Sequence, residues 1–139
     1  MYTLRVEQSF DSAHFLAGYQ GKCGNIHGHR WRVEAEVTAD NLIESGVHAG
    51  MVVDFSILKR ALGELVEPFD HALIIETGTM RQATLDHLQE DEFAITFVDF
   101  RPTAENFAAY FFRQLKQAQF AVRRGTVYET PTNCAIYEE

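Results

Sequence analysis

Three histidines and a cysteine lie close together near the N-terminus, in a pattern typical of metal chemistry. His14 precedes the segment Cys23-Gly24-Asn25-Ile26-His27-Gly28-His29, and the residues from Arg30 onward alternate polar and apolar as a strand does. Residues i and i+2 of a strand point to the same face, so a strand that begins at His27 directs His27 and His29 towards one ion. Three neutral imidazoles with an open fourth position are typical of a catalytic zinc site.

Other interpretations of these residues stay open. In one interpretation the histidines are unrelated polar residues. In another the site is a closed structural one, with the Cys23 thiol as the fourth ligand. The adjacent Lys22 ammonium group favours the thiolate, which suits a general base or a nucleophile. Lys22 and Arg30 flank the motif and are candidates for steering a phosphorylated substrate towards it.

Three further acidic positions are candidates for chemistry. Asp70 directly precedes His71, and a carboxylate can orient an imidazole and stabilise its protonated form, although most such pairs are ordinary surface residues. Glu105 lies in the first turn of a predicted helix, where the helix dipole alone favours an acid. Glu129 lies in a predicted strand, where it faces water or accepts two N–H bonds from a guanidine-like heterocycle.

Length and composition restrict the class of protein. The chain has 139 residues, which predicts one domain over 1–139, and its apolar content of 46% is typical of a globular protein. It contains no apolar run long enough for a membrane span and no signal sequence at its N-terminus. Its 2 cysteines form no disulfide framework, so we expect a reduced, cytoplasmic protein. A net charge of −8 argues against a nucleic-acid surface as the main function.

The hydrophobic pattern predicts an α+β fold with the order β-β-α-β-α-β and both helices on one face of the sheet. Asp54 caps the first helix and Thr103 caps the second, each followed by apolar residues at helical spacing. Gly125 is expected to break the chain before a last strand that runs from about Thr126 to near Tyr137 and is interrupted or bulged at Pro131. The polar segment 76–92 has no clear periodicity and is expected to be a surface excursion.

Six stretches, in this order and over most of the chain, resemble the 6-pyruvoyl-tetrahydropterin synthase superfamily. They are Phe10-Asp11-Ser12-Ala13-His14-Phe15, Cys23 to His29, Val53-Asp54-Phe55, Phe69-Asp70-His71, Pro102-Thr103-Ala104-Glu105-Asn106 and Val127-Tyr128-Glu129-Thr130. The three residues between Cys23 and His27 look like the bacterial, carboxy-forming branch of queuosine biosynthesis. The pyruvoyl-forming branch usually has a longer spacing, and a folate-linked branch has Glu in place of this Cys.

The resemblance implies the tunnelling fold, or T-fold. In that fold a four-stranded antiparallel sheet carries two helices on one face. Subunits join into an oligomeric barrel of trimers, or dimers of trimers, with the sites at subunit contacts. A homo-oligomer with a small-molecule substrate, and with no nucleic acid or membrane partner, is therefore expected.

The resemblance also implies an activity and a role for each candidate residue. The implied enzyme is a zinc-dependent lyase that converts 7,8-dihydroneopterin triphosphate to 6-carboxy-5,6,7,8-tetrahydropterin, acetaldehyde and triphosphate. The implied Zn²⁺ ligands are His14, His27 and His29, and the implied proton-transfer residues are Cys23, Asp70 and His71. Glu129 would anchor the pterin and join the relay, with Glu105 and Thr103 as weaker ring contacts. The alternatives are a lyase that stops at the pyruvoyl product and a non-catalytic zinc-containing pterin binder.

Overall fold

Six strands pair into one mixed sheet, accompanied by three α-helices, in the computed structural model, which describes residues 1–139. The strands are β1 (Tyr2–His14), β2 (His27–Ala39), β3 (Ala72–Glu76), β4 (Ile95–Val98), β5 (Val122–Thr130) and β6 (Asn133–Tyr137). The helices are α1 (Phe55–Val66), α2 (Gln82–Glu90) and α3 (Ala104–Gln117). No helix of the structure is both long enough and apolar enough to span a bilayer.

The sheet is larger than the sequence predicted. Its strand order is β4-β3-β1-β2-β5-β6. The neighbouring strands β1, β2, β5 and β6 pair antiparallel. β3 adds to β1 in parallel and β4 adds to β3 in parallel, through a crossover that contains α2. The expected four-stranded antiparallel sheet with two helices was therefore wrong in number, since the structure has six strands and three helices. The missed strand β3 is a short apolar run with no alternation, which periodicity does not distinguish from a helix segment.

A long hairpin of β1 and β2 positions the histidines. Its register runs without interruption from Tyr2 opposite Ala39 to His14 opposite His27. Side chains alternate between the two faces of a sheet, so the buried residue Phe10 shares one face with His14 of β1, and its partner Trp31 shares that face with His27 and His29 at the start of β2. The expected start of the second strand at His27 is confirmed.

Helices α1 and α3 cover this face and form the core with it. Both predicted caps are confirmed: the Asp54 side chain accepts a hydrogen bond from Ser56 N, and the Thr103 side chain accepts one from Asn106 N. Five aromatic rings pack together where the helices meet the hairpin, namely Phe10, Trp31, Phe69, Phe107 and Phe111. Burial of each such side chain stabilises the fold by roughly 1.5–3 kcal/mol, and the cluster forms a rigid floor directly beneath the histidines.

Two local expectations were wrong. Gly125 does not break the chain but lies within β5, where a Cβ atom would approach Ala108 O of α3 to 2.9 Å. The glycine is needed because the helix packs so closely on the sheet. The expected last strand is the hairpin of β5 and β6, which turns at Pro131-Thr132. The polar segment 76–92 contains α2, whose only buried residue is Leu85, so its short apolar stripe gave little periodic signal.

Candidate metal centre and active site

The histidines of the hairpin converge at one point. His14 is the last residue of β1, and His27 and His29 open β2 on the face covered by α3. One ring nitrogen of each lies within 4.8 Å of the others. Trp31, fully buried, packs edge-on against the rings of His14 and His29 with centroids 5.0 and 5.5 Å away. The strands therefore bring together all three predicted ligands on a packed aromatic base.

Backbone carbonyls determine which nitrogen of two of these rings carries the proton. His14 Nδ1 lies 2.8 Å from Pro102 O, and His27 Nδ1 lies 2.7 Å from Asn25 O. Carbonyl oxygens only accept, so each Nδ1 donates and each Nε2 of the neutral rings presents a lone pair. These two Nε2 atoms face each other at 3.1 Å. Two lone pairs at this distance repel unless a cation lies between them. Metal-bound histidines typically donate their other ring N–H to a backbone carbonyl in this way.

Burial lowers the pKa of two of these rings. Burial away from water, opposed by the Pro102 carbonyl and assisted by the neighbouring His27 and His29, lowers the pKa of His14 to about 4. Burial also lowers the pKa of His29, while Glu129 opposes that shift. Neutral imidazole is the form that binds metals, so the site is ready for a cation at neutral pH.

The donor set fits zinc. Three imidazole nitrogens leave a fourth tetrahedral position free, and His29 Nε2 is buried with no hydrogen-bond partner. Glu129 Oε1 lies 3.4 Å from that nitrogen, within ion-pair range but not in hydrogen-bond geometry. The Cys23 sulfur does not belong to the converging group, and the residue lies half-buried in a short 3₁₀ turn before β2. The structure thus brings together three ligands and a nearby carboxylate, and leaves the thiol outside.

A second polar cluster forms around Asp70 and His71. Asp70 Oδ1 lies 3.1 Å from His71 Nδ1 and accepts a hydrogen bond of 3.0 Å from Asp11 N. The Asp11 N–H bond, then the His71 contact, hold the pKa of Asp70 below its usual range. His71 adopts φ 57, and its N–H donates to Asp11 O at 2.6 Å. The Asp11 carboxylate pairs with Arg30 at 3.3 Å.

The two clusters lie on opposite faces of the sheet. Asp11 pairs with Arg30 across β1 and β2, one position away from the pair of Ser12 and His29. The side chains of Asp11 and Arg30 therefore lie on the other face of the sheet, which the helices do not cover. There they line an open cleft of about 660 Å³ together with His71, whose side chain is 78% exposed, and His29 borders the same cleft. One chain therefore presents its histidine cluster on one face and its Asp70–His71 pair on the other.

The remaining predicted residues are dispersed. Glu129 shares a small pocket of about 210 Å³ with Glu105, at the start of α3 and beside the β5–β6 hairpin. The Thr103 hydroxyl accepts the capping N–H of α3, at 3.3 Å from Asn106 N. Lys22 is exposed in the 3₁₀ turn. The structure brings Glu105 and Glu129 together in this small pocket, and of the two Glu129 lies beside His29.

Some residues that organise the site could not be identified from their types. The Pro102 and Asn25 carbonyls orient the histidines, but a backbone carbonyl has no sequence signal. Asp11 supports the Asp70–His71 pair through its backbone. This contact follows from the parallel pairing of β1 with β3, which the sequence did not predict. The position of Asp11 within the Phe10–Phe15 stretch was the one available signal.

Comparison with known proteins identifies the family. The family model described as 6-pyruvoyl tetrahydropterin synthase matches residues 3–139. The chain is 38% identical to the 6-carboxy-5,6,7,8-tetrahydropterin synthase of Haemophilus influenzae, with 100% of both chains covered. It is 34% identical to the protein of that name from Synechocystis, covering 99% of this chain and 93% of the relative. The chain therefore belongs to the 6-pyruvoyl tetrahydropterin synthase family.

Solved structures agree on the fold. An uncharacterized protein from Wolinella succinogenes superimposes with a TM-score of 0.78 at 20% identity, covering 99% of this chain and 98% of the other. The 6-pyruvoyl tetrahydropterin synthase of Caenorhabditis elegans superimposes with a TM-score of 0.68 at 25% identity, covering 99% and 95%. The structural neighbours are thus T-fold proteins, as the sequence resemblance predicted.

Proposed function

We propose that this chain is a zinc-dependent 6-carboxy-5,6,7,8-tetrahydropterin synthase of queuosine biosynthesis, with residues 1–139 as its single domain. The substrate would be 7,8-dihydroneopterin triphosphate, and the products 6-carboxy-5,6,7,8-tetrahydropterin, acetaldehyde and triphosphate. The observation that carries the proposal is the convergence of three imidazoles, two of them with their Nε2 atoms 3.1 Å apart. The names of the full-length relatives support the choice of product.

His14, His27 and His29 would hold the zinc ion. Bound there, zinc supplies a Lewis acid that lowers the pKa of substrate hydroxyls and polarises a carbonyl. The Pro102 and Asn25 carbonyls keep two of the ligand rings in the correct tautomer. Trp31 fills the space behind the rings, so water reaches the site only from the open side.

Glu129 would anchor the pterin. Its carboxylate lies at the edge of the histidine cluster and is partly buried, so it can accept two N–H bonds from the 2-amino group and N3 of the ring. Glu105 and Thr103 at the start of α3 would contact the same ring more weakly. Lys22 would attract the triphosphate from the loop before β2.

Cys23, Asp70 and His71 would move protons. Cys23 as thiolate would take a carbon-bound proton from the substrate side chain. Asp70 would orient His71 through the 3.1 Å contact, so that the imidazole can take a proton and return it during carbon–carbon cleavage.

The placement of these groups supports a site shared between subunits. Within one chain the histidine cluster and the Asp70–His71 pair lie on opposite faces of the sheet. Both can act on one substrate when the uncovered face of one subunit meets the zinc-bearing end of another. We therefore propose a homo-oligomer built from trimers, in which an isolated subunit is inactive.

The deciding experiment is an anaerobic incubation of zinc-loaded protein with 7,8-dihydroneopterin triphosphate, with products identified by mass. Carboxy-tetrahydropterin together with acetaldehyde is the expected result. The pyruvoyl product would identify the enzyme that stops one step earlier. Absence of turnover by a zinc-replete oligomer would refute the lyase and leave the pterin binder.

Two substitutions separate the lyase from a structural zinc protein. Cys23→Ala should keep zinc and lose turnover, because the thiol lies outside the ligand group. Loss of zinc from this variant would instead make the thiol a ligand. His29→Ala should lose zinc, whereas His87→Ala, in helix α2 and outside the ligand group, should keep it. Zinc content by atomic absorption gives both results.

Glu129→Gln should weaken substrate capture and leave zinc content unchanged. A glutamine keeps the shape of the side chain but replaces one acceptor oxygen by a donor, so the paired N–H bonds to the pterin are lost. Substrate affinity can be measured by fluorescence titration of the zinc-loaded protein. Unchanged substrate affinity would show that Glu129 does not bind the pterin.

A further inference from the structure

The cleft beside His71 has an apolar wall that the proposed mechanism does not use. Leu88 of α2 and Phe93, in the turn after it, line the cleft opposite Arg30, and Ile26 from the loop before β2 lines it as well. Phe93 is 62% exposed and Ile26 is 57% exposed. Large apolar side chains left open next to a polar cluster are typical of a ligand site.

The backbone holds Phe93 in place without burying it. Glu92 N donates to Gln89 O and Phe93 N donates to Leu88 O, both at 3.0 Å, which closes α2 with a Schellman motif. Glu92 adopts φ 64, a conformation that glycine usually provides at this position. The left-handed residue therefore lies directly before Phe93, whose side chain lines the cleft.

The cleft has the chemistry of a site for a flat, partly polar molecule. Its volume of about 660 Å³ lies within the range of small-molecule pockets. One side carries the Asp11–Arg30 pair and His71, which suit anionic and proton-exchanging groups, and the other side carries an aromatic face. Aromatic side chains stack on planar heterocycles with little regard to the identity of the ring.

We propose that Phe93 is a specificity-determining residue that packs against the heteroaromatic ring of the substrate while a second copy of the chain holds that ring by its zinc-bearing end. This inference rests on the proposed function, since it assigns the ring and the shared site given above. Phe93 would select for a planar ring and shield the His71 relay from water, and the Arg30 side of the cleft would face the charged end of the substrate.

The test measures the affinity of the zinc-loaded oligomer for each half of the substrate separately. The probes are 7,8-dihydroneopterin, which carries the ring without phosphates, and inorganic triphosphate. Phe93→Ala should weaken binding of dihydroneopterin about tenfold, the size expected for loss of one stacking contact, and leave triphosphate binding unchanged. Phe93→Trp keeps an aromatic face and should retain most of the affinity.

Phe97→Ala is the matched control. Phe97 is also an exposed aromatic residue, at 45%, but it lies in β4 and lines a different pocket. It should leave the affinity for both probes unchanged. Equal loss of dihydroneopterin binding in both alanine variants, or none in Phe93→Ala, would overturn the proposal.

Sedimentation distinguishes a substrate contact from a contact between subunits. If Phe93→Ala dissociates the oligomer and loses both probes, the wall is an assembly surface and the proposal fails. The proposed function fails in a different way, when the wild-type oligomer binds dihydroneopterin but does not turn over its triphosphate. Binding of dihydroneopterin that depends on Phe93 would then still support the proposed contact between Phe93 and the ring.

Discussion

Acid should destabilise the metal-free protein through one buried histidine. The fold holds the pKa of His14 at about 4, against 6.5 in an unfolded chain. Above pH 6.5 the ring is neutral in both states and contributes no pH dependence. Below pH 6.5 the unfolded chain takes up a proton that the folded protein refuses, so the free energy of unfolding falls until pH 4, where both states are protonated.

The size of this effect follows from the shift. A difference of one pKa unit corresponds to 1.36 kcal/mol, so the full loss is about 3 kcal/mol, of which about 2 kcal/mol is reached by pH 5. The shift arises from burial, and His14 is only 1% exposed, so solvent screening reduces the value little. The loss is a large part of the stability of an ordinary domain.

Urea unfolding of chelated protein at pH 7.5, 6 and 5 measures the effect. His14→Gln removes the titrating group and keeps a side-chain N–H that can donate to Pro102 O. All other groups titrate in both proteins, so the difference between them isolates His14. Equal losses of stability in the two proteins would refute the assigned burial of the ring. With zinc bound, protons compete with the metal, so acid should also release zinc in this range.

Two further predictions concern the scaffold. Gly125→Ala should destabilise the protein by about 1–3 kcal/mol, because its Cβ atom would clash with Ala108 O. In the control Gly63→Ala, the new Cβ of α1 meets only the flexible Gln8 side chain, and stability should rise by up to about 1 kcal/mol. Glu92→Gly should stabilise α2 by about 1 kcal/mol, because it removes the cost of a left-handed residue. Urea unfolding checks these changes, and the opposite sign for any of them would contradict the corresponding packing.

Much of the candidate site could be predicted because its residues are close in sequence. His27 and His29 are two residues apart at the start of a strand, and strand alternation is enough to place them on one face. The caps Asp54 and Thr103 were also correct, since a cap is a local interaction between a side chain and N–H groups two or three residues later.

The sequence by itself determined the α+β class, the two long amphipathic helices and the ligand chemistry, all of which depend on local periodicity and residue type. Only the tertiary structure decided that β3 and β4 join the sheet in parallel, that Gly125 lies under α3, and that Asp70–His71 lies on the face opposite the histidines. These features depend on which distant segments pair and on how closely they pack. Such contacts are set by the free energy of the whole fold, which no window of the sequence contains.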